Sequence, residues 1–348
     1  MTPLEGAKAW AARGFFPVPI PYREKKPIAE GWPNLRITAD TAGQYFNSSK
    51  QNVGVLLGDD YGAADVDCDC PEAIWLAKAL LPETGLIFGR QSKRHSHWFF
   101  RIDPPIPTKQ FKDPSDGKVL VELRCQTKDG AIGFQTVVPP STHESGEEIR
   151  FEKGKDGIAA NVDAHELEGA VSRIAAGAIL ARHYPAAGQG RNHCELALAG
   201  ALAHAGWSQQ ATRTFVVTTY QAVRDHDPKA IQRVERSVEN TFERREAGGD
   251  TTGIPTLKQH YDDKVLLAAL GWLSITSKPD LLREQLNDHG NAERIKIFCG
   301  ADLRYCHAMR RWLVWDGQRW AVDATQQSRK LAKGAMLQFL KQACDAQQ

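Results

Sequence analysis

The stretch GAADVDCDCPEA, Gly62–Ala73, places aspartate at every second position: Asp65, Asp67 and Asp69. Alternation is the period of a β-strand, so the three carboxylates share one face, with Val66 and Cys68 on the other. Carboxylates two positions apart on a strand lie roughly 6–7 Å from one another. Like charges that close repel and raise each other's pKa unless something positive lies among them. A calcium loop also opens on D-x-D-x-D, but it requires Gly at its sixth position and Glu at its twelfth. Those positions hold Cys70 and Leu76. What is left is a solvated turn, or a strand-borne cluster for Mg²⁺ or Mn²⁺, hard cations held by carboxylates and substrate phosphates.

Two further stretches bear on the choice. In KVLVELRCQ, Glu122 and Arg124 alternate onto one face of a strand, with Val121 and Leu123 on the other. A carboxylate buried unpaired is costly, so Glu122 is exposed, paired with Arg124 or liganded. GRQSKRHSHWFFR, Gly89–Arg101, reads as a basic polar loop running into the apolar strand Trp98–Phe100. Arg90, Ser92, Lys93, Arg94, Ser96 and His97 offer the cations and hydroxyls of a cradle for a phosphate-bearing ligand.

Such groups need a scaffold. The 348 residues have room for two or three compact domains. Net charge is only +2, so any basic footprint for nucleic acid is local. Single basic residues such as Arg36, Lys50, Lys109 and Lys112 read as solvated surface. The start, MTPLEGAKAW, lacks the features of a signal peptide, and the apolar-leaning run Val265–Ile275 is too short to span a bilayer. Seven cysteines without a C-x-x-C pair suit a reducing cytoplasm. Cys299, Cys306 and His307 lack a partner pair for structural zinc, and the cysteines read as small buried side chains.

Up to about Phe151, short β-rich runs such as NVGVLLG, AADVDCD, TGLIFGR and FQTVVPP alternate with turn signals. Helical stretches interrupt them around Pro3–Arg13 and Pro71–Leu81. Strands mixed with a few helices indicate an α/β or α+β domain over 1–151. Glu152–Asp163, polar and poor in large apolar residues, reads as a linker. Residues 164–247 show Ala and Leu at helical spacing, with Ser208 as the N-cap of one helix. Ala247–Pro255 reads as a second linker, before a mixed segment over 256–348.

The order of acidic strand, basic loop and carboxylate-bearing strand resembles the archaeo-eukaryotic primase superfamily, specifically the bifunctional primase-polymerases of phages and plasmids. Their motifs hDhD/E, sxH and hD/E are matched by ADVDCD, RHSHW and VELR. Flanking text is similar as well: KKPIAEGW, NVGVLLG and FQTVVPPSTHESGE. The resemblance covers about Pro3–Phe151 and implies the α+β class, a mixed sheet with flanking helices. It implies template-directed nucleotidyl transfer onto a 3′-hydroxyl with two Mg²⁺ or Mn²⁺ ions, a single-stranded DNA template and nucleoside triphosphates. Asp65 and Asp67 fit the hydrophobic lead-in of the first motif, with Asp69 a third candidate ligand and Glu122 completing the metal site. His97 joins them as a catalytic residue. It would contact the triphosphate together with Arg90, Ser92, Lys93, Arg94, Ser96 and Arg124.

Gly188–Gly206 is similar to the helical primase C-terminal module, which by family resemblance helps hold template and the initiating nucleotide. Arg191, Asn192 and His193 stand before a helix N-terminus, a natural phosphate-binding place that is equally an ordinary cap. Asn287–Thr325 looks like the segment preceding a superfamily-3 helicase. No G-x-x-x-x-G-K-[ST] loop occurs in the chain, so no ATP-driven motor is expected in it. A helicase module, in a longer chain or in trans, is the expected partner, in a cytoplasmic protein of a mobile element. Two other readings stand beside primer synthesis: a polymerase that extends only a supplied primer, and a non-catalytic replication initiator that binds origin DNA.

Overall fold

The computed structural model describes residues 1–59, 61–186, 189–223, 227–275, 281–300, 302–316 and 319–345. Gly188 of the helical motif, and Ala301, Gly317 and Gln318 of the helicase-like stretch, lie outside the described residues. The chain forms two compact units. The first holds Met1–Ala77, Leu81–Lys112 and Lys118–Val171.

It opens with α1 (Pro3–Ala12), started by a Thr2/Glu5 capping box with Pro3 in the first turn. Then follow β1 (Pro17–Pro21), the single turn α2 (Ala42–Tyr45), β2 (Gln51–Leu57) and β3 (Ala63–Cys68). Helix α3 (Pro71–Leu80) leads to β4 (Leu86–Arg90) and β5 (Lys93–Asp103). Next come β6 (Lys109–Lys112), β7 (Val119–Arg124), β8 (Phe134–Val138) and β9 (Ser141–Thr142). The last strands of the unit are β10 (Glu148–Asp156) and β11 (Ala160–Asp163), after which α4 (Ala164–Arg182) begins.

These strands make two sheets, β1-β2-β8 and β6-β7-β3-β5-β4-β10-β9, with β11 added in parallel to β5. A core of Trp10, Phe15, Val55, Phe88, Phe99 and Val138 joins residues of α1 and both sheets. The Trp10 indole donates to the carbonyl of Pro139 at 2.7 Å, which satisfies its one polar atom inside that core.

Two expectations need correction. Glu152–Asp163 is no linker: it supplies the end of β10, paired with β4, and all of β11, paired with β5. Its polarity reflects mostly exposed strand residues, next to the half-buried Phe151 and around the buried Glu152, so composition alone hides it. The first unit accordingly runs past residue 151. The basic loop over Gly89–His97 is mostly strand as well. Arg90 pairs with Lys93 around the two-residue turn Gln91–Ser92, and β5 is already formed at Lys93. Pairing satisfies the backbone on both sides there, which outweighs the polar composition.

The second unit contains Ser172–Gln348 together with Lys78–Leu80 and Asp113–Gly117. Beyond α4 it carries α5 (Arg191–His204), α6 (Gln209–Ala222), α7 (Pro228–Glu246), α8 (Ile254–Leu257), α9 (Asp263–Trp272) and α10 (Asp288–Cys299). A small antiparallel sheet of β12 (Leu303–Cys306), β13 (Arg311–Trp315) and β14 (Trp320–Val322) precedes α11 (Gln327–Asp345). Ser208 caps α6, its hydroxyl accepting from the amide of Ala211 at 3.2 Å, as the sequence predicts. No described helix is long and apolar enough to cross a membrane.

Candidate active site

Strand β3 lies between β5 and β7, antiparallel to both. Asp67 stands opposite His97 on one side and Glu122 on the other; Asp65 stands opposite Phe99 and Arg124. Residues opposite one another in a sheet share a face. The face that begins at Ala63 in the apolar core therefore ends at Asp65, Asp67 and Asp69. The three strands put acids, a histidine and an arginine within a few ångströms of each other, without any loop having to close.

Ligand atoms of Asp67, Asp69 and Glu122 all lie within 4.8 Å of one another, and Asp65 is not in this group. Lys93 reaches into it from the start of β5, its ammonium 2.9 Å from Asp69 Oδ1 and 3.6 Å from Asp67 Oδ1. Burial by itself would raise the Asp67 carboxyl, but the charges of His97, Lys93 and Arg124 outweigh it and hold Asp67 below its ordinary value. Burial and the neighbouring Asp67 push Asp69 up in spite of Lys93. Glu122 is also raised by burial, against the pull of Arg124 and a hydrogen bond from Gln110. For His97, burial disfavours the charge, yet Asp67 and Asp65 raise its pKa and favour the imidazolium.

Asp65 is fully buried. Its Oδ2 accepts from the Thr136 hydroxyl at 2.7 Å, and His97 Nδ1 lies 3.1 Å away. Thr136 comes from β8, in the other sheet, and its oxygen also accepts from Arg124 Nη1 at 3.1 Å. The His97 ring stacks on Phe88, centroids 5.0 Å apart and planes 14° apart.

A cavity of about 320 Å³ opens over this centre, lined among others by Asp67, Asp69, Arg90, Lys93, His97 and Arg124. Ser96 lines it too, its hydroxyl buried and without a hydrogen-bond partner among the described residues. Two of the expected phosphate contacts point elsewhere. Ser92 is taken up by Glu147, through its amide and its hydroxyl. Arg94 is bound to the buried Glu152. Lys25, Gln135, Thr136, His143 and Glu144 also border the cavity. They lie in stretches that the resemblance marks, KKPIAEGW and FQTVVPPSTHESGE, but nothing in their types or spacing singled them out.

Arg191, Asn192 and His193 belong to the second unit and form the first turn of α5 itself, after Gly190 at φ +85°. Arg191 donates to the carbonyl of Pro185 at 2.9 Å, and His193 is exposed. Asn192 borders a second cavity of about 320 Å³ with Lys229, Gln232, Arg233, Arg236 and Asn240 of α7. The cations that face Asn192 thus come from a helix some forty residues further on, which sequence reasoning did not single out.

A strand-borne acidic cluster beside cations over an open cavity is the equipment of a metal-assisted phosphoryl-transfer enzyme. Residues 7–166 match the family model of the bifunctional DNA primase/polymerase N-terminal domain, Prim-Pol. The first unit is accordingly a primase/polymerase domain, a nucleotidyltransferase of DNA replication. A search of curated proteins finds no match to the chain.

Proposed function

We propose that the protein makes and extends primers on single-stranded DNA by two-metal nucleotidyl transfer, with Asp67, Asp69 and Glu122 as the carboxylates that hold Mg²⁺ or Mn²⁺. The observation that carries this is the convergence of those three side chains, with Asp67 Oδ1 buried and lacking a hydrogen-bond partner among the described residues. Oxygen donors of this kind suit hard divalent cations. When bound, such cations stabilise charge on the attacking 3′-oxygen and the departing pyrophosphate.

The protein's own groups do the rest. Arg90, Lys93 and Arg124 border the cavity as fixed positive charges, in position to neutralise and orient a triphosphate before the reaction. His97 lines the same space, with Asp67 and Asp65 raising its pKa. Lys93 neutralises Asp67 and Asp69, the charge balance that a divalent cation held by those carboxylates would supply in its place. The rigid placement of all these groups on paired strands pre-pays the entropy of alignment. Base choice then comes from template pairing, leaving the protein to hold backbone and shape.

In the second unit, Asn192 with Lys229, Arg233 and Arg236 is proposed to hold template or the initiating nucleotide, supported by the cavity these residues share. Arg191 and His193 flank it on α5. For 256–348 the proposed partner is a helicase module of a mobile-element replication system, a reading supported by resemblance.

The test is incorporation of labelled nucleotides on single-stranded DNA with and without an annealed primer, in Mg²⁺ and in Mn²⁺. Products growing from dinucleotides without a primer are expected, and Asp67→Asn or Glu122→Gln should abolish them while leaving DNA binding intact. Activity only on annealed primers would favour an extending polymerase. Silence under both conditions would leave an initiator that only binds DNA.

A further inference from the structure

Three aspartates alternate on β3, yet they sit in different surroundings. Asp67 and Asp69 meet Glu122 and Lys93 at the cavity. Asp65 is sealed off at 0% exposure, and its neighbours come from three other strands. Thr136 of β8 donates to its Oδ2 at 2.7 Å, and His97 Nδ1 of β5 lies 3.1 Å from Oδ2 and 3.3 Å from Oδ1. Arg124 Nη1 of β7 stands 3.7 Å from Oδ2. A buried carboxylate is tolerated only when paired and hydrogen-bonded, and here protein groups meet that demand.

The consequence falls on His97. A ring nitrogen facing a carboxylate carries its proton there, which fixes both tautomer and ring direction. Asp65 holds the Nδ1 edge of the ring and Phe88 covers its face. Nε2, 3.8 Å from Asp67 Oδ1, is the edge turned to the centre. Thr136 ties the arrangement together, since its oxygen donates to Asp65 and accepts from Arg124. One hydroxyl from the opposite sheet thus steadies both His97, through Asp65, and Arg124.

We propose that Asp65 is a positioning residue and not a metal ligand, and that Thr136 and Asp65 together aim His97 at the triphosphate. The inference rests on reading the centre as a nucleotidyl-transfer site. It is tested with Asp65→Asn, Thr136→Val, Thr136→Ser and Asp67→Asn in the full chain. Mn²⁺ binding is followed by electron paramagnetic resonance, KM and kcat by primer extension, and the His97 ring by ¹⁵N nuclear magnetic resonance.

Asp65→Asn and Thr136→Val should bind Mn²⁺ within about twofold of the wild type, while KM for the nucleotide rises about tenfold, as is usual when an orienting partner is lost. Both should alter the His97 nitrogen signals, and Thr136→Ser should restore KM and spectrum alike. Asp67→Asn should lose Mn²⁺. If Asp65→Asn loses Mn²⁺ as fully as Asp67→Asn, Asp65 is a ligand and the proposal is overturned. Unchanged KM and His97 signals in Thr136→Val would overturn it too, and this comparison with Thr136→Ser stands even if Asp65→Asn does not fold. A wild-type protein that ignores Mn²⁺ would overturn the reading of the whole centre, a result distinct from either of these.

Discussion

Asp113 lies in the loop 113–117 of the second unit, fully buried, and its carboxylate meets Ser115, His183 and, at 3.4 Å, Arg182. The Ser115 amide and hydroxyl donate to its Oδ1 at 2.9 and 2.6 Å, and His183 Nε2 lies 2.8 Å from its Oδ2. Burial would raise this carboxyl, but the Ser115 hydrogen bonds and His183 outweigh it and lower it from 3.8 to about 2. A folded-state value below the unfolded one means stability that is present above pH 3.8 and lost as pH falls through 2. The depression is worth about 2 kcal/mol at neutral pH. Asn keeps the shape but has no charge to lose. Asp113→Asn should therefore cost about 2 kcal/mol at pH 7 and roughly half of that at pH 3. Urea unfolding of both proteins at the two pH values, followed by circular dichroism, measures the gap. A gap that stays constant or widens on acidification would refute the reasoning.

Other outcomes follow from the centre and the core. Lys93→Ala leaves Asp67 and Asp69 facing each other without their ammonium, so the metal-free protein should lose about 1–3 kcal/mol. Mn²⁺ should raise the melting temperature of that variant more than of the wild type, and equal shifts in the two would count against Lys93 as the resting counter-charge. Trp10→Ala should cost about 3–5 kcal/mol by opening the aromatic core, and Trp10→Phe about 1–3 kcal/mol for the lost bond to Pro139, both read from urea midpoints. Arg236→Ala should slow initiation without a primer roughly tenfold, the size of one lost charge-assisted contact, and spare extension of an annealed primer. Equal loss in both assays would take the α7 cavity out of initiation.

How much of this was legible in the sequence depended on what each pattern encodes. Alternation marked β3 and β7 and put Glu122 and Arg124 on one face, and the register bears that out. The capping signals at Thr2 and Ser208 were local and readable. Strand β10 was not, because one of its faces is exposed and charged and its partner β4 lies some sixty residues earlier. The three aspartates were indistinguishable by spacing, since a period of two treats Asp65, Asp67 and Asp69 alike. What separates them is Thr136, delivered from the opposite sheet, and no local pattern announces that contact. Likewise Asn192 was visible at a helix start, whereas its cationic neighbours on α7 became apparent only once the helices packed.

The seating of β3 between two partners has an evolutionary consequence. Its acids alternate with Val66 and Cys68, both wholly buried on the reverse side. Inserting or deleting one residue ahead of Asp65 would flip the strand, sending the carboxylates into the apolar layer and turning the Cys68 thiol toward the cavity. A donor set for hard cations would give way to one with a soft ligand. Single-residue length changes in this segment are therefore closed to the lineage, whereas two-residue changes keep the parity, so the chemistry of the domain depends on whether one strand counts odd or even.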